Sequence, residues 1–188
     1  QTIEVTESGD YSVNVNNNNT SENYSMNFDG IDDQIIIPNN ILLNIDSDFS
    51  IQFDIKTNDN NRAHVISKST VIEQGGNEYP GYYFVHLKSD GTIQAEISDG
   101  YSGSGDYVLI NSSTQINDNT WHRVIITFDR DDVGIIYIDG QIQNAVDISS
   151  HPGALSNNEP LLIGGNDNIG SHYLDGLIDN VVIWDYEL

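Results

Sequence analysis

The stretch Tyr24-Ser25-Met26-Asn27-Phe28-Asp29-Gly30-Ile31-Asp32-Asp33-Gln34-Ile35 carries the pattern that decides the fold. Apolar and polar side chains alternate over 24–28, and 34–37 contains three consecutive isoleucines, which predicts two β-strands. Between them Gly30 follows Asp29, and a glycine lets the chain turn where a side chain would clash. The stretch therefore predicts two strands joined by an acidic turn.

The same alternation continues through the rest of the chain, with Gly, Asn and Asp between the alternating segments. Only 41–45 suggests a helical turn, and no segment combines a 3.6-residue period with helix caps. Asp139-Gly140 predicts a type I′ hairpin turn, because both residues can adopt positive φ. Further strands are predicted at 49–56, 63–67, 82–88, 92–97, 107–110, 121–128, 134–138, 141–146, 161–163 and 173–186, the last broken near Gly176. This pattern predicts an all-β, antiparallel sandwich or barrel.

Composition excludes several functional classes. The 188 residues include 29 Asp and Glu against 6 Lys and Arg, giving a net charge of −23, and there is no cysteine. Nucleic-acid binding is excluded because phosphate contacts need Lys and Arg. Membrane insertion is excluded because no apolar run reaches 18 residues. An acidic, Asn- and Gly-rich, cysteine-free chain is typical of a bacterial extracellular protein that uses calcium, although the acids also serve solubility alone.

Residues 24–35 resemble the opening strand pair of laminin G-like domains in the concanavalin A-like lectin/glucanase superfamily. Four later segments resemble the same family in the same order: FSIQFDIK at 49–56, WHRV at 121–124, IIYIDG at 135–140, and LIGG at 162–165 followed by LDGLIDNVVIW at 174–184. Asp54 departs from the family pattern, since a tryptophan is common there. The resemblance covers about 24–188 and implies a jelly roll of two antiparallel sheets in which the first and last strands pair.

The N-terminal segment is interpreted separately. Residues 1–19 resemble the last hairpin of an immunoglobulin-like module followed by a polar linker, so we expect a boundary there and a jelly-roll domain over 20–188. The alternative is that the N-terminal strands join the jelly roll. Because the sequence begins with Gln, we expect a processed protein or a piece of a longer one, secreted or attached to the cell surface, whose partners include other domains of the same polypeptide.

A structural calcium ion is the cofactor that the resemblance implies. Many family members hold calcium between the first turn and a carboxylate near the C-terminus, which here implicates Asp179 together with oxygens of Asp29 and Gly30. Calcium prefers six to eight hard oxygen ligands, and acidic turns supply them. The alternative is that Asp29 caps backbone amides in its turn and that Asp179 is an ordinary strand residue.

Catalytic motifs are absent from the sequence. Glycoside hydrolysis needs two carboxylates at a defined separation, and no Glu-x-Asp-x-Glu strand motif occurs. The five histidines show no zinc-site spacing. No Gly-x-Ser-x-Gly elbow occurs, and the nearest segment, YSGSG at 101–105, lies in a Gly/Ser loop. We therefore expect a non-catalytic domain.

Sugar binding needs aromatic faces and planar polar side chains, and three loops at 72–81, 99–106 and 164–173 offer them. The candidate ligand-binding residues are Tyr101, Tyr107, Asn166, His172 and Tyr173. The alternative for the tyrosines is packing in the core, which is also the interpretation of Trp121 and Trp184. The function predicted is a lectin-like module that binds a polysaccharide or glycan, neutral because cations are few. The alternative is an adhesion or spacer domain that binds protein or no ligand.

Overall fold

The computed structural model describes residues 11–12, 25–69, 81–100, 107–165 and 172–188. Two antiparallel sheets form a β-sandwich. Its strands are β1 (Tyr11–Ser12), β2 (Met26–Asp29), β3 (Ile35–Ile37), β4 (Phe49–Thr57), β5 (Ala63–Lys68), β6 (Tyr82–Leu87), β7 (Ile93–Ser98), β8 (Val108–Asn111), β9 (His122–Phe128), β10 (Val133–Ile138), β11 (Gln141–Asp147), β12 (Leu161–Ile163) and β13 (Asp175–Trp184). A 3₁₀ turn at Ile41–Leu43 matches the helical turn expected there.

The long strand β13 organises the seven-stranded sheet. One edge of β13 pairs with β2 and β1, and the other pairs with β4, which is followed by β9, β10 and β11. Asp29 of β2 lies opposite Asp175 of β13, so the predicted pairing of first and last strands is confirmed. The six-stranded sheet has the order β3-β12-β5-β6-β7-β8. This topology brings the β2–β3 turn and the start of β13 to the same place.

The core lies between the sheets and follows from the two-residue period of the strands. The ring of Phe49 stacks on Phe128 with centroids 4.2 Å apart and tilts against Tyr83 at 5.6 Å. Burying each such side chain contributes about 1.5–3 kcal/mol. Trp184 is half-buried, whereas Trp121 is 45% exposed, so its interpretation as a core residue is wrong. The fully buried hydrophobic side chains of β4 and β6 are Phe49, Ile51, Phe53, Ile55, Tyr83, Val85 and Leu87.

Two turn predictions have different outcomes. Asp139 and Gly140 have φ of 51° and 75°, as the type I′ turn between β10 and β11 requires. The predicted break near Gly176 is wrong, because β13 runs through it without interruption. The glycine instead permits a close approach, since a Cβ there would lie 2.8 Å from the Lys56 carbonyl oxygen. The irregularity of β13 lies further on, between Asp179 and Val182.

The N-terminal segment contributes one short strand. Tyr11 and Ser12 pair with Ile183 and Val182 of β13, which is the arrangement of the alternative in which N-terminal residues join the sandwich. The rest of 1–19 lies outside the described residues, so the boundary at 19 stays a prediction. In the part of the chain that the structure describes, no helix has the length and apolar character needed to cross a membrane.

Candidate functional site

A cleft of about 350 Å³ opens where three separate segments meet. They are the turn between β2 and β3, the loop between β4 and β5, and the residues that lead into β13. The cleft combines carboxylates with one guanidinium, one amide and two aromatic rings. Its lining residues are Asp29, Gly30, Asp59, Asn61, Arg62, His172, Tyr173 and Asp175.

Backbone hydrogen bonds fix the segment 172–174 beside the first turn. The Gly30 N–H donates to the Leu174 carbonyl at 2.9 Å, and the Leu174 N–H donates to the Gly164 carbonyl at 2.8 Å. The His64 N–H donates to the His172 carbonyl at 3.0 Å. The segment that carries the His172 and Tyr173 rings is therefore tied both to the seven-stranded sheet, through Gly30, and to the six-stranded sheet, through His64.

The buried carboxylate of Asp59 anchors the β4–β5 loop. Its Oδ1 accepts hydrogen bonds from the backbone and side-chain N–H groups of Asn61, at 2.8 and 2.9 Å. The Asp59 N–H donates to Thr57 Oγ1, whose hydroxyl donates to the Asp175 carbonyl at 2.6 Å. The loop is therefore tied to the start of β13, and it presents Asn61 and Arg62 at the cleft.

The ring of Tyr173 lies over the backbone of Gly165. A Cβ added at Gly165 would lie 2.4 Å from the ring, so only a glycine allows this contact. Tyr173 and His172 are both half-buried, and they share the cleft with Asn61. An aromatic face beside planar polar groups is the combination that binds a sugar ring and its hydroxyls.

Three exposed carboxylates form the rim at the first turn. Oxygen atoms of Asp29, Asp32 and Asp33 all lie within 4.8 Å of one another. Asp29 Oδ1 accepts a hydrogen bond from the Ile31 N–H at 2.9 Å, and Asp33 Oδ2 accepts one from the Asp29 N–H at 3.2 Å. Part of the set therefore shapes the turn, while the remaining oxygens fit the hard-ligand chemistry of calcium.

Behind the cleft, Arg62 contacts a pair of buried histidines. Arg62 Nη2 lies 2.8 Å from His86 Nδ1, and His86 Nε2 lies 3.0 Å from His64 Nδ1. A guanidinium only donates, so His86 Nδ1 accepts and its Nε2–H donates to His64. Burial lowers the pKa of His64 to about 3 and of His86 to about 2, with the neighbouring positive charges adding to the effect. The pair is therefore neutral, with its tautomers set by Arg62.

The histidines continue a row of rings across the outer face of the six-stranded sheet. The row alternates along β6 with side chains that face the core. Centroids are 5.4 Å apart for Tyr82 and Phe84, 4.3 Å for Phe84 and His86, and 5.9 Å for His64 and His172. The row thus ends at His172 in the cleft.

Tyr107 lies near the other end of this row. It immediately precedes β8, is 44% exposed, and comes close enough to Tyr82 to affect the pKa of that phenol. Burial is the main cause of the raised pKa of Tyr82, followed by the charge of Glu96, whose Oε1 accepts the Tyr82 hydroxyl hydrogen at 2.8 Å. Two predicted ligand residues, Tyr107 and His172, therefore lie at opposite ends of one row of rings.

The remaining predicted residues divide into two groups. Tyr101 and Asn166 lie outside the described residues. Asp179 is described, but it pairs with Asp54 of β4, whereas Asp29 lies opposite Asp175. Asp179 lies four positions after Asp175 along the strand, which corresponds to about 13 Å. The structure therefore brings Asp29 and Gly30 into the cleft with His172 and Tyr173, and leaves Asp179 outside it.

Four lining residues were not predicted: Asp59, Asn61, Arg62 and Asp175. In the sequence, 58–62 is a polar run that indicates only a connection between two strands. Its approach to β13 depends on the pairing of β4 with β13, which no local pattern reveals. Asp175 could have been predicted from the sequence, because it directly follows Tyr173-Leu174 and begins the strand that was expected to pair with the first turn.

Comparisons with known proteins agree with this architecture. The family model described as the concanavalin A-like lectin/glucanases superfamily, of laminin G type, matches residues 28–188. A search of curated protein sequences gave no match.

Several solved structures share the fold. The binding domain of Paraclostridial Mosquitocidal Protein 1 is 21% identical with a TM-score of 0.64, over 87% of this chain and 40% of that one. The CBM40 of Ruminococcus gnavus IT-sialidase, bound to α2,3 sialyllactose, is 14% identical with a TM-score of 0.59, over 77% and 78%. The SAP-like pentraxin of Limulus polyphemus is 18% identical with a TM-score of 0.58, over 86% and 76%.

The chain spans 40% of the length of the toxin domain that it matches. At these identities the likeness to solved structures establishes the fold. The family match covers most of the chain, from β2 to the end of β13, and includes the segments that line the cleft. With its two sheets and its pairing of first and last strands, this chain belongs to the concanavalin A-like lectin/glucanase superfamily.

Proposed function

We propose that this domain is a non-catalytic, lectin-like module of a secreted or cell-surface protein, and that it binds a neutral glycan in the cleft. The observation that carries the proposal is the convergence of Tyr173 and His172 with Asn61 and Arg62. Two of these residues were expected to bind a ligand from sequence alone. The CBM40 structure with sialyllactose, and the other binding domains among the similar structures, support a binding function.

A neutral ligand follows from the charges that line the cleft. Asp29, Asp59 and Asp175 outnumber Arg62, and the chain as a whole carries a net charge of −23. An anionic sugar would meet this negative field, whereas hydroxyl groups can both donate to carboxylates and accept from Arg62. Tyr173 supplies the aromatic face for the C–H groups of the ring.

Calcium is part of the proposal, at a modified position. We propose the ion at the first turn, with ligands from Asp29, Asp32 and Asp33, and without Asp179. The ion would neutralise the acidic rim next to the cleft and hold the turn between β2 and β3. The turn also carries the Gly30 N–H that bonds to Leu174, so the ion would stabilise the segment that presents His172 and Tyr173.

A glycan array followed by calorimetry on the full chain tests the function. The array includes lactose and its two sialylated forms. We expect the neutral glycans to bind, Tyr173→Ala and Asn61→Ala to weaken binding at least about tenfold, and Tyr173→Phe to keep it because the ring remains. The matched control is Tyr186→Ala, since Tyr186 is an exposed aromatic residue at 45% that lies outside the cleft lining.

Contrary outcomes separate the parts of the proposal. Binding of sialylated but not neutral glycans would show that the preference for neutral sugars is wrong and would point to Arg62 as the carboxylate partner. Equal glycan binding by wild type and Tyr173→Ala would show that the cleft is not the binding site. Absence of binding to every glycan would favour the spacer or adhesion role.

A further inference from the structure

We propose that the outer face of the seven-stranded sheet carries a second ligand site, centred on Trp121, for a neutral sugar ring with adjacent hydroxyl groups. The site shares its ligand class with the proposed function, and it does not share a residue with the cleft. It is a recess of about 420 Å³ in which Trp121 lies beside Asp54, Arg123, Asp139, Asp179 and Asn180.

The exposed indole is the first observation. Trp121 is 45% exposed, although burial of such a large apolar ring would stabilise the fold. It lies just before β9, in a segment whose next core residue is Val124. A flat aromatic face at the edge of a polar recess is the usual platform for the C–H face of a sugar ring.

The recess has a floor built by hydrogen bonds. Arg123 Nε and Nη2 donate to the two oxygens of Asp54 at 2.8 and 2.9 Å. Asn180 Nδ2 donates to Asp54 Oδ2 at 2.8 Å. The three side chains come from three adjacent strands, β9, β4 and β13, and they hold one another in a single arrangement.

A β-bulge aims Asn180 into this arrangement. Asn180 has φ of 51°, and the pairing of β13 with β4 shifts between Asp179 and Val182. Such bulges turn a side chain away from the direction that regular strand geometry would give it. A non-glycine residue at positive φ is strained, and this strain persists next to the recess.

Several hydrogen-bonding atoms remain available for a ligand. Within the described residues, Arg123 Nη1, Asn180 Oδ1 and Asp179 Oδ2 have no hydrogen bond. One donor and two acceptors on planar groups match the alternating donor and acceptor capacity of neighbouring sugar hydroxyls.

The two residues that follow the indole are held by hydrogen bonds, which fix the backbone from which Trp121 projects. His122 Nδ1 lies 2.8 Å from Asp139 Oδ2, and His122 Nε2 lies 3.1 Å from Asp118 Oδ1. The Arg123 N–H also donates to Asp139 Oδ1 at 2.9 Å. A preorganised platform loses little conformational entropy when a ligand binds.

Charge decides the ligand class. Three carboxylates, those of Asp54, Asp139 and Asp179, outnumber the two basic groups of the recess, Arg123 and His122, which disfavours uronic acids, phosphates and sulfates. A cationic ligand would meet Arg123 and would find one ring where a cation cage needs several. An uncharged sugar ring can form hydrogen bonds with the available atoms through its hydroxyl groups. It is repelled neither by the carboxylates nor by Arg123.

NMR titration of the full chain tests this site. The probes are methyl α-mannoside, methyl β-galactoside and methyl β-glucoside, with glucuronic acid and glucosamine as charged comparisons. We expect a neutral glycoside to shift the Trp121 indole N–H and the Asn180 amide together. Trp121→Ala should weaken this binding at least about tenfold. Asn180→Gly, which keeps the bulge because glycine tolerates positive φ, should weaken it by a smaller factor.

The controls separate this site from the cleft. Tyr186→Ala and Tyr173→Ala should leave the titration of the Trp121 signal unchanged. Glycosides that shift the cleft residues but not Trp121, tighter binding of a charged sugar at the recess, or equal binding by Trp121→Ala would each overturn the second site and leave the cleft intact. Shifts at Trp121 without shifts at the cleft would support the second site and show that the cleft does not bind these three glycosides.

Discussion

At the scale of single residues, histidines in this domain occupy two opposite electrostatic environments. His64 and His86 are 1% exposed, and burial lowers the pKa of both. Burial of His122 acts in the same direction, but hydrogen bonds to Asp139 and Asp118 outweigh it and raise the pKa of that residue. Acidification should therefore lower the free energy of unfolding through His64 and His86 and raise it through His122.

The buried pair predicts a loss of stability on mild acidification. Below about pH 6.5 the unfolded chain protonates these histidines while the folded chain keeps His64 neutral down to about pH 3 and His86 down to about pH 2. The free energy of unfolding should fall with decreasing pH, by at most about 1.4 kcal/mol per pH unit for each histidine. In urea titrations between pH 7 and about pH 5, a His64→Phe, His86→Phe double variant should show a shallower fall than wild type.

The control for this prediction is His122→Gln, for which the sign is reversed. Its raised pKa contributes stability that is fully present below the unfolded pKa and is lost as the pH rises through the folded value. Removing it should make the fall on acidification steeper. Identical pH profiles for wild type and the double variant would contradict the neutral, buried pair.

Residue patterns predicted half of the cleft. Asp29, Gly30, His172 and Tyr173 were found because turn and loop chemistry is local, and the family resemblance placed the first and last strands together. Asp179 was assigned to the same site because the resemblance specifies a carboxylate near the C-terminus. Which carboxylate faces the turn depends on the register of β13 against β2, and Asp175 takes that position.

At the scale of elements, β2 packs against the end of β12 through one glycine. Gly164 has φ of 84°, and a Cβ there would lie 2.1 Å from the ring of Phe28. The Gly164 carbonyl also accepts the Leu174 N–H, so the same residue supports the chain that leads to the cleft. Phe28 of β2 can therefore reach its buried position only while residue 164 has no side chain.

Gly164→Ala should be strongly destabilising. Positive φ costs about 1 kcal/mol for alanine, and overlap with the Phe28 ring adds about 1–3 kcal/mol. Gly140→Ala is the matched control, because Gly140 has φ of 75° with no atom within 4 Å of the added Cβ. Urea unfolding should show a loss of about 1 kcal/mol for the control. Equal losses for the two variants would contradict the proposed packing of β2 on β12.

Strand positions were predictable from the sequence, and strand irregularities were not. The predicted segments for β4, β5 and β12 agree with the structure to within one residue at each end. Alternating side chains mark the buried face of β4, whereas β5 and β12 are short segments that are buried at every residue. The bulge at Asp179 and Asn180 has no such signature. It arises from the pairing of β13 with β4 and, together with the exposure of Trp121, creates a recess that the sequence did not reveal.

At the scale of the whole molecule, the net charge of −23 opposes the compact state through repulsion among carboxylates. A divalent cation held by the first turn would reduce this repulsion where three acids are concentrated. Because such an ion binds the folded turn and not the unfolded chain, its effect on stability depends on its concentration.

Calcium should raise the melting temperature of the domain. At a concentration about 100-fold above its Kd, calcium adds about 2.7 kcal/mol, which corresponds to about 5–10 °C for a domain of this size. Differential scanning calorimetry with calcium and with EDTA measures the shift, and magnesium at equal concentration shows how much of it is charge screening.

The matched variants carry the same change of charge. Asp32→Asn, Asp33→Asn should abolish the calcium shift, whereas Asp131→Asn, Asp132→Asn, on an exposed turn between β9 and β10, should retain it. A melting temperature that is the same in EDTA and calcium would exclude a structural ion at the first turn.

The central place of β13 has a consequence for biogenesis. Strands β1 and β2 join this sheet only through β13, so they have no partner strand until residue 184 has emerged from the ribosome. Until then β4 has an unpaired edge with a highly apolar inner face, a hazard for aggregation that chaperones recognise. Completion of this sheet should accordingly wait for β13 and be slow, as is general for topologies whose contacts join distant parts of the chain.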